Sequence, residues 1–395
     1  MNLNKQNKQG QVSIIILWAM MFFVFIILSF AKRASHEMRM VLSTKEKVQG
    51  NFLIWDAFKT MERLLKSDDR EVDSLQDRWA RLEANNLKTC KKDGNIIWEI
   101  MDLYDEESLI NINEIGPEVL KTIFAPTASA LSYPEYYLCL LDWLDEDDLP
   151  SQDPDYPGYI GAEKDNIFYE DRDYYPRNGH MRSLYELFLV KGAQEVFFSS
   201  DDFALKEQKI NNFAQTIIPS AYACCGAGKV PVAPPPPLIP WPIDKMPGPG
   251  ENPFGELSPT GIGFTVYGDG KININTAPHT VLQAVGFLPD TVVRLLTFRF
   301  GGGIFKQNNS GHIINQLITA DCLRNGEPTY NTIASNIGNV IGEGNTKVQS
   351  NYFRIRIKST TKKGIISTTI MVLKREEVED EVKIKIIAWW ENFYL

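Results

Sequence analysis

The sequence is poor in the residues that carry catalysis and metal chemistry. Its four histidines, His36, His180, His279 and His312, stand far apart. There is no HExxH, GxSxG or GxxxxGK[ST] pattern, and the GAGKV at Gly226 lacks both the spacing and the Ser/Thr of a phosphate-binding loop. Ser310 and His312 share a glycine-rich loop without a third partner, so no enzyme is expected. The five cysteines, Cys90, Cys139, Cys224, Cys225 and Cys322, show no CxxC spacing, which excludes a structural zinc knot. Outside the cytoplasm they leave room for one or two disulfides. Cys139, inside the apolar run YYLCLLDWL, reads as a buried free thiol. Basic excess is missing too: the net charge of −9 argues against a nucleic-acid partner. No A-x-A site follows the first apolar run, which disfavours a cleaved secretory signal.

What is present begins with that run. Val12 to Phe30 holds nineteen residues and no charge. At 1.5 Å per residue it reaches about 28 Å, roughly one bilayer core. A polar leader with Lys5 and Lys8 precedes it and ends in Gly10. No proline occurs before Pro117, so a helix can run on from Ala31 to about Lys66, with Phe52, Leu53, Trp55, Phe58, Met61, Leu64 and Leu65 at helical spacing. This is the pattern of a type IV pilin-like precursor; an uncleaved signal anchor fits equally. Lys32, Arg33 and Arg39 behind the span favour, by the positive-inside rule, the orientation opposite to that of a secretion component.

Beyond the helix, Ile96 to Leu103 and Leu109 to Asn113 read as strands. An internal echo follows: ININEIGPEVL (Ile110 to Leu120) returns as ININTAPHTVL (Ile272 to Leu282), identical at six of eleven positions. Each copy is a short extended segment, a proline near a helix start and an apolar helix. The stretch VGFLPDTVVRLLTFR after the second copy resembles a helix-hairpin-helix, a module that often binds DNA; the acidity of the chain favours a packing hairpin instead. Helices are expected at Pro134 to Leu144 and Met181 to Val190. Lys229 to Gly261 holds eleven of the 22 prolines and reads as an extended linker. Tyr352 to Ser359, Ile365 to Leu373 and Val382 to Trp389 read as an antiparallel meander lying on the long helix, with the charged run Lys374 to Glu381 separating the last two.

Asp142 to Asp173 concentrates twelve carboxylates against Lys164 and Arg172. It is not an EF-hand, and it is either a solvated acidic loop or a calcium site built from a flexible oxygen-rich segment. Its candidate ligands are Asp145, Asp147, Asp148, Glu163, Asp171 and Asp173, a set that spacing alone does not define.

The runs LININ, LLDWLDEDD, Gly161-Ala162-Glu163, SLYELFLVKG and KININTAP, in this order, resemble the type II secretion minor pseudopilin K family (general secretion pathway protein K), over most of the chain. The resemblance implies an α+β fold: a pilin-like transmembrane helix on an antiparallel sheet, with a large inserted helical domain and calcium near the acidic loop. It divides the chain into a leader (1–10), the long helix (11–66), a first part of the pilin-like domain (67–114), the insertion (115–335) and a closing β meander (336–395). It implies cleavage between Gly10 and Gln11 by prepilin peptidase, an inner-membrane position with the body in the periplasm, and the minor pseudopilins I and J among other pseudopilins as partners. The fifth residue after cleavage is Ile15, where other pilins usually carry Glu to meet the amine of the subunit above. A subunit with nothing above it can discard that carboxylate, so Ile15 and the bulky body imply the tip of the pseudopilus. A minor pilin or DNA-uptake component of a type IV pilus-like machine is the alternative.

Overall fold

The computed structural model describes residues 3–82, 85–92, 95–125, 133–197, 263–361, 364–379 and 381–392. The proline-rich stretch, Cys224 and Cys225 lie outside the described residues.

One helix, α1 (Leu3–Lys66), organises the N-terminal part. Its first half projects with its apolar side chains exposed, and by length and composition it is able to cross a membrane. Its second half packs on a five-stranded sheet. β1 (Thr89–Lys92), β2 (Asn95–Asp105), β7 (Tyr352–Thr361), β8 (Gly364–Val378) and β9 (Glu381–Asn392) lie in that order, every neighbour antiparallel. Ile54, Ala57, Phe58, Met61 and Leu65 form the helix side of the core, and Trp98, Ile100, Phe353, Ile355, Ile357, Met371 and Leu373 the sheet side. The helix residues recur every three or four positions and those on each strand every second position, so each element turns one apolar face to the other. The Trp98 indole N–H donates to Asp56 Oδ2 at 2.7 Å and fixes the helix axially.

β2 and β7 are neighbours although the whole helical body lies between them in sequence. That body contains β3 (Ile110–Asn111), α2 (Pro117–Phe124), α3 (Pro134–Leu144), α4 (Ile167–Glu170), α5 (Ala193–Phe197), β4 (Phe264–Thr265), β5 (Ile272–Asn273), α6 (His279–Ala284), α7 (Pro289–Phe300), α8 (Ser310–Thr319), α9 (Tyr330–Gly342) and β6 (Thr346–Lys347). It has its own hydrophobic core. The architecture is therefore the expected α+β one, a long helix on an antiparallel sheet with a helical insertion. The helical body begins at β3, which pairs with β4, and ends at β6, which pairs with β5; α9 spans the expected boundary at residue 335.

The internal echo is a structural repeat. Asn111 and Asn273 are the first asparagines of the two copies, both buried, and each accepts from the backbone N–H two residues on, at 3.1 and 3.0 Å. The second asparagines each clasp a distant backbone through both amide atoms. Asn113 donates to Met181 O (3.0 Å) and accepts from Met181 N–H (2.7 Å); Asn275 does the same with Phe305 (2.9 and 2.8 Å).

Two expectations are corrected. Met181 to Val190 is not a regular helix: a 3₁₀ turn, Leu184–Phe188, is capped by Ser183, whose side chain accepts from Tyr185 N–H. Leu184, Leu187 and Val190 are buried at a spacing of three, the period of a 3₁₀ rather than an α-helix. The charged run after Lys374 does not separate strands, because β8 continues through it to Val378 and turns at Glu379, where φ is +56°. Within the run Arg375 points inward and Glu376 pairs with Lys385 across the strands, so the charges build the ladder instead of ending it.

Leu65→Ala removes a fully buried side chain from the helix–sheet core. It is expected to lower unfolding stability by about 2–5 kcal/mol, whereas Phe52→Ala, on the exposed face, should change it by about 0.5 kcal/mol or less. Denaturant unfolding of the detergent-solubilised chain checks both.

Candidate metal centre in the acidic loop

The loop's geometry is set by α3. Pro134 occupies its first turn, where a missing N–H costs nothing, and Asp145 ends it, its N–H donating to Leu141 O. Asp142 therefore lies in the last turn, fully buried, with Oδ1 accepting from Ser151 N–H at 2.7 Å. The chain returns over it at Gly161. A Cβ on Gly161 would stand 1.9 Å from Asp142 Oδ2, so only glycine allows this approach. That crossing delivers Glu163 to the end of α3.

Glu163 is 1% exposed, and neither Oε atom meets a donor in bonding geometry; the Asn178 amide stands nearby and relieves it only in part. Carboxylate oxygens of Asp145, Asp147 and Glu163 lie within 4.8 Å of one another. Oxygens sharing an ion at 2.3–2.6 Å fall within about that span. Asp142 Oδ2 and Asp145 Oδ1 are also buried without a donor. Burial, reinforced by neighbouring carboxylates, pushes the Glu163 carboxyl up to about 7 and that of Asp145 up to about 6. Asp142 is raised by burial as well.

The six expected ligands divide accordingly. Asp145, Asp147 and Glu163 converge. Asp148 borders the group but is engaged elsewhere, by Lys164 Nζ at 2.6 Å and by Asn178 Nδ2 at 3.1 Å. Asp171 and Asp173 are not in the group: Asp171 caps α4 and both are exposed on its far end. Their place in the sequence suggested the loop, but α4 carries them away from it. Two residues that charge counting did not select belong here: Asp142, and Asn178, whose Nδ2 also donates to Asp147 O at 2.7 Å. The Asp-Trp at the end of an apolar helix and the small Gly-Ala before Glu163 were the available signals.

The donor set is all oxygen, from carboxylates on a loop, with neither Cys nor His in the group. That chemistry fits a hard cation such as calcium and does not fit zinc. Elsewhere, Gly10, Gln11 and Ile15 all lie on α1, their side chains outside the described residues. In the hairpin, Arg294 is held by Glu327 (3.1 Å) and Cys322 O, and Arg299 is buried, donating to Ala277 O. These two arginines serve packing. Cys139 is fully buried and free, its thiol pushed up to about 12 by burial.

No family model matches the chain, and no curated protein matches it. Among solved structures it is similar to one described as the GspK–GspI–GspJ complex from the enterotoxigenic Escherichia coli type 2 secretion system. Identity is 13% and the TM-score 0.43, over 92% of this chain and 99% of that one.

A carboxyl whose folded pKa lies above its unfolded value stabilises the fold below the unfolded value, near 4, and that contribution is lost as pH rises through the folded value. With chelator present, the parent should therefore lose stability between about pH 4 and 7 on account of Glu163 and Asp145. Glu163→Gln should flatten part of that fall in thermal unfolding, and an unchanged pH profile would contradict the assignment.

Proposed function

We propose that this chain is a minor pseudopilin of a type II secretion system, a structural component and not an enzyme. It is anchored in the inner membrane by α1, with its body in the periplasm. The observation that carries the reading is α1 itself: one continuous helix, half exposed and apolar, half packed on an antiparallel sheet. The order of the LININ, LLDWLDEDD, GAE and KININTAP runs supports it. Prepilin peptidase would cut after Gly10, leaving Gln11 first and open to methylation. Ile15, uncharged within the membrane, supports a place at the tip of the pseudopilus, since an unpaired carboxylate there is costly. The large helical body supports the same place, where it need not fit between repeated subunits. There the chain would cap the pseudopilus and help begin its assembly with minor pseudopilins I and J. The inward arginines of the hairpin favour this over the DNA-uptake alternative.

Within this reading Asp145, Asp147 and Glu163 hold calcium, with Asp142 and Asn178 shaping the site. The ion neutralises carboxylates that otherwise face one another in a partly buried place, Glu163 innermost and Asp147 at the surface. Its role is to order the loop on the end of α3.

Co-expression with candidate I and J partners and co-purification from membranes tests the assembly; a chain that never co-purifies with them, or that is spaced along the filament shaft, contradicts it. Mass spectrometry should find Gln11 as the first residue and Gly10→Val uncut. Calcium at a hundred-fold excess over its dissociation constant should add about 2.7 kcal/mol of stability. Glu163→Ala should abolish the part of that gain that comes from the acidic-loop site, without lowering the midpoint in chelator.

A further inference from the structure

The loop that follows α1 holds a second group of carboxylates, far in sequence from the acidic loop. Asp68, Asp73 and Asp77 bring one oxygen each within 4.8 Å of the others. Asp73 is fully buried. Its Oδ2 accepts from Arg375 Nη2 at 2.5 Å and from Ser350 N–H at 2.7 Å, while its Oδ1 is buried and accepts from nothing. Asp68 presents a second such oxygen, Oδ2, buried and without a donor; Arg375 Nη1 stands 3.9 Å away, too far for a hydrogen bond. Asp77 accepts from Ser74 N–H at 2.6 Å and from Ser74 Oγ at 3.1 Å, which leaves further lone pairs on both oxygens. The Arg375 guanidinium thus bonds Asp73 and stands near Asp68, and Lys347, a half-buried cation, is committed to Glu107 and Asp269 at 2.7 and 2.8 Å.

Buried carboxylate oxygens without donors are costly unless something positive fills the space between them. The three oxygens have the mutual distances of ligands on one ion of calcium size, and no nitrogen or sulfur ligand is among them. We infer that Asp68, Asp73 and Asp77 form a second site for a hard divalent cation of the calcium class, which pins the loop after α1 to the sheet. The site is independent of the one in the acidic loop. It joins three parts of the chain through Asp73: the end of α1, the sheet through Arg375 and Ser350, and the helical body through Asn273, whose Nδ2 donates to Asp73 O at 3.1 Å.

The test uses the full chain in detergent, freed of metal, with calcium itself as the probe. Calorimetric titration and thermal unfolding are run on four forms: the parent, D145N/E163Q, D68N, and the combination of all three substitutions. Asp68 is chosen because Asp73→Asn would also break the Arg375 pair. D145N/E163Q should still bind calcium and still gain midpoint on its addition. Adding D68N should remove both effects without lowering the midpoint in chelator. D68N alone should lose one bound ion relative to the parent, a readout that does not depend on the double variant folding. The inference is overturned if D145N/E163Q folds but binds no calcium at millimolar concentration, or if D68N leaves binding and stoichiometry unchanged. It is also overturned if the midpoint of D145N/E163Q ignores calcium yet falls between pH 5 and 8, because a shared proton would then be the neutralising charge. If D145N/E163Q binds as many ions as the parent while D68N loses one, the acidic-loop site is refuted and this one stands.

Discussion

Arg375 leaves β8, crosses the Phe353 ring with its guanidinium carbon 5.2 Å from the centroid, and ends between Asp73 and the Ser350 carbonyl. It is one of several buried charges where the sheet meets the helical body. Arg354 pairs with Glu106, Arg356 with Asp102, and Lys347 with Glu107. Such pairs contribute little net stability over an apolar substitute, but losing one partner strands a buried charge at about 3–5 kcal/mol. They therefore act on specificity more than on stability. An apolar interface would tolerate sliding, whereas a set of paired charges has one register.

Asp105 sits at the centre of this set without touching a cation. Its Oδ2 accepts from Ser350 Oγ, Thr276 Oγ1 and Asn273 Nδ2, and its Oδ1 from Glu107 N–H. Those donors come from the sheet side, the second copy of the repeat and the 3₁₀ turn at Glu106–Ser108. The repeat explains why the insertion can be seated this way. In the first copy Asn111 spends its amide on Gly268 O, inside the helical body. In the second, the equivalent Asn273 turns the same amide outward to Asp73, Asp105 and Ser350. One copy closes the body on itself and the other docks it, using the same local backbone.

The parts of this structure that were legible in the sequence are those written by periodicity. α1 and the three C-terminal strands declare themselves through the spacing of apolar residues, and the repeat through identity. The boundary of β8 was not legible, because Lys374–Glu381 is polar by composition and its burial depends on an aspartate 302 residues away. The same distance hid the charge junction, since Asp73 and Arg375 are unremarkable until the fold brings them together. In the acidic loop, composition pointed to a concentration of carboxylates and could not say which of them converge. Asp145, Asp147 and Glu163 converge because Gly161 lets the chain cross Asp142, while Asp171 and Asp173, equal in charge, leave with α4.

That division separates two mechanical jobs. α1 meets the sheet through an apolar core, with the Asp56–Trp98 bond as a polar contact beside it. The acidic loop belongs to the helical body and does not contribute to that core. Ions bound there would alter the body's own rigidity and leave the core between α1 and the sheet undisturbed. The route by which the body's state can bear on α1 is the charged junction, because the chain enters it directly after Lys66 through Asp68 and Asp73 and returns to it at Ser350 and Arg375. A force on the helical body is therefore delivered to the end of the helix–sheet unit by directional bonds with a single register. The orientation of the helical body is in this way kept in fixed relation to the helix that is long and apolar enough to cross a membrane.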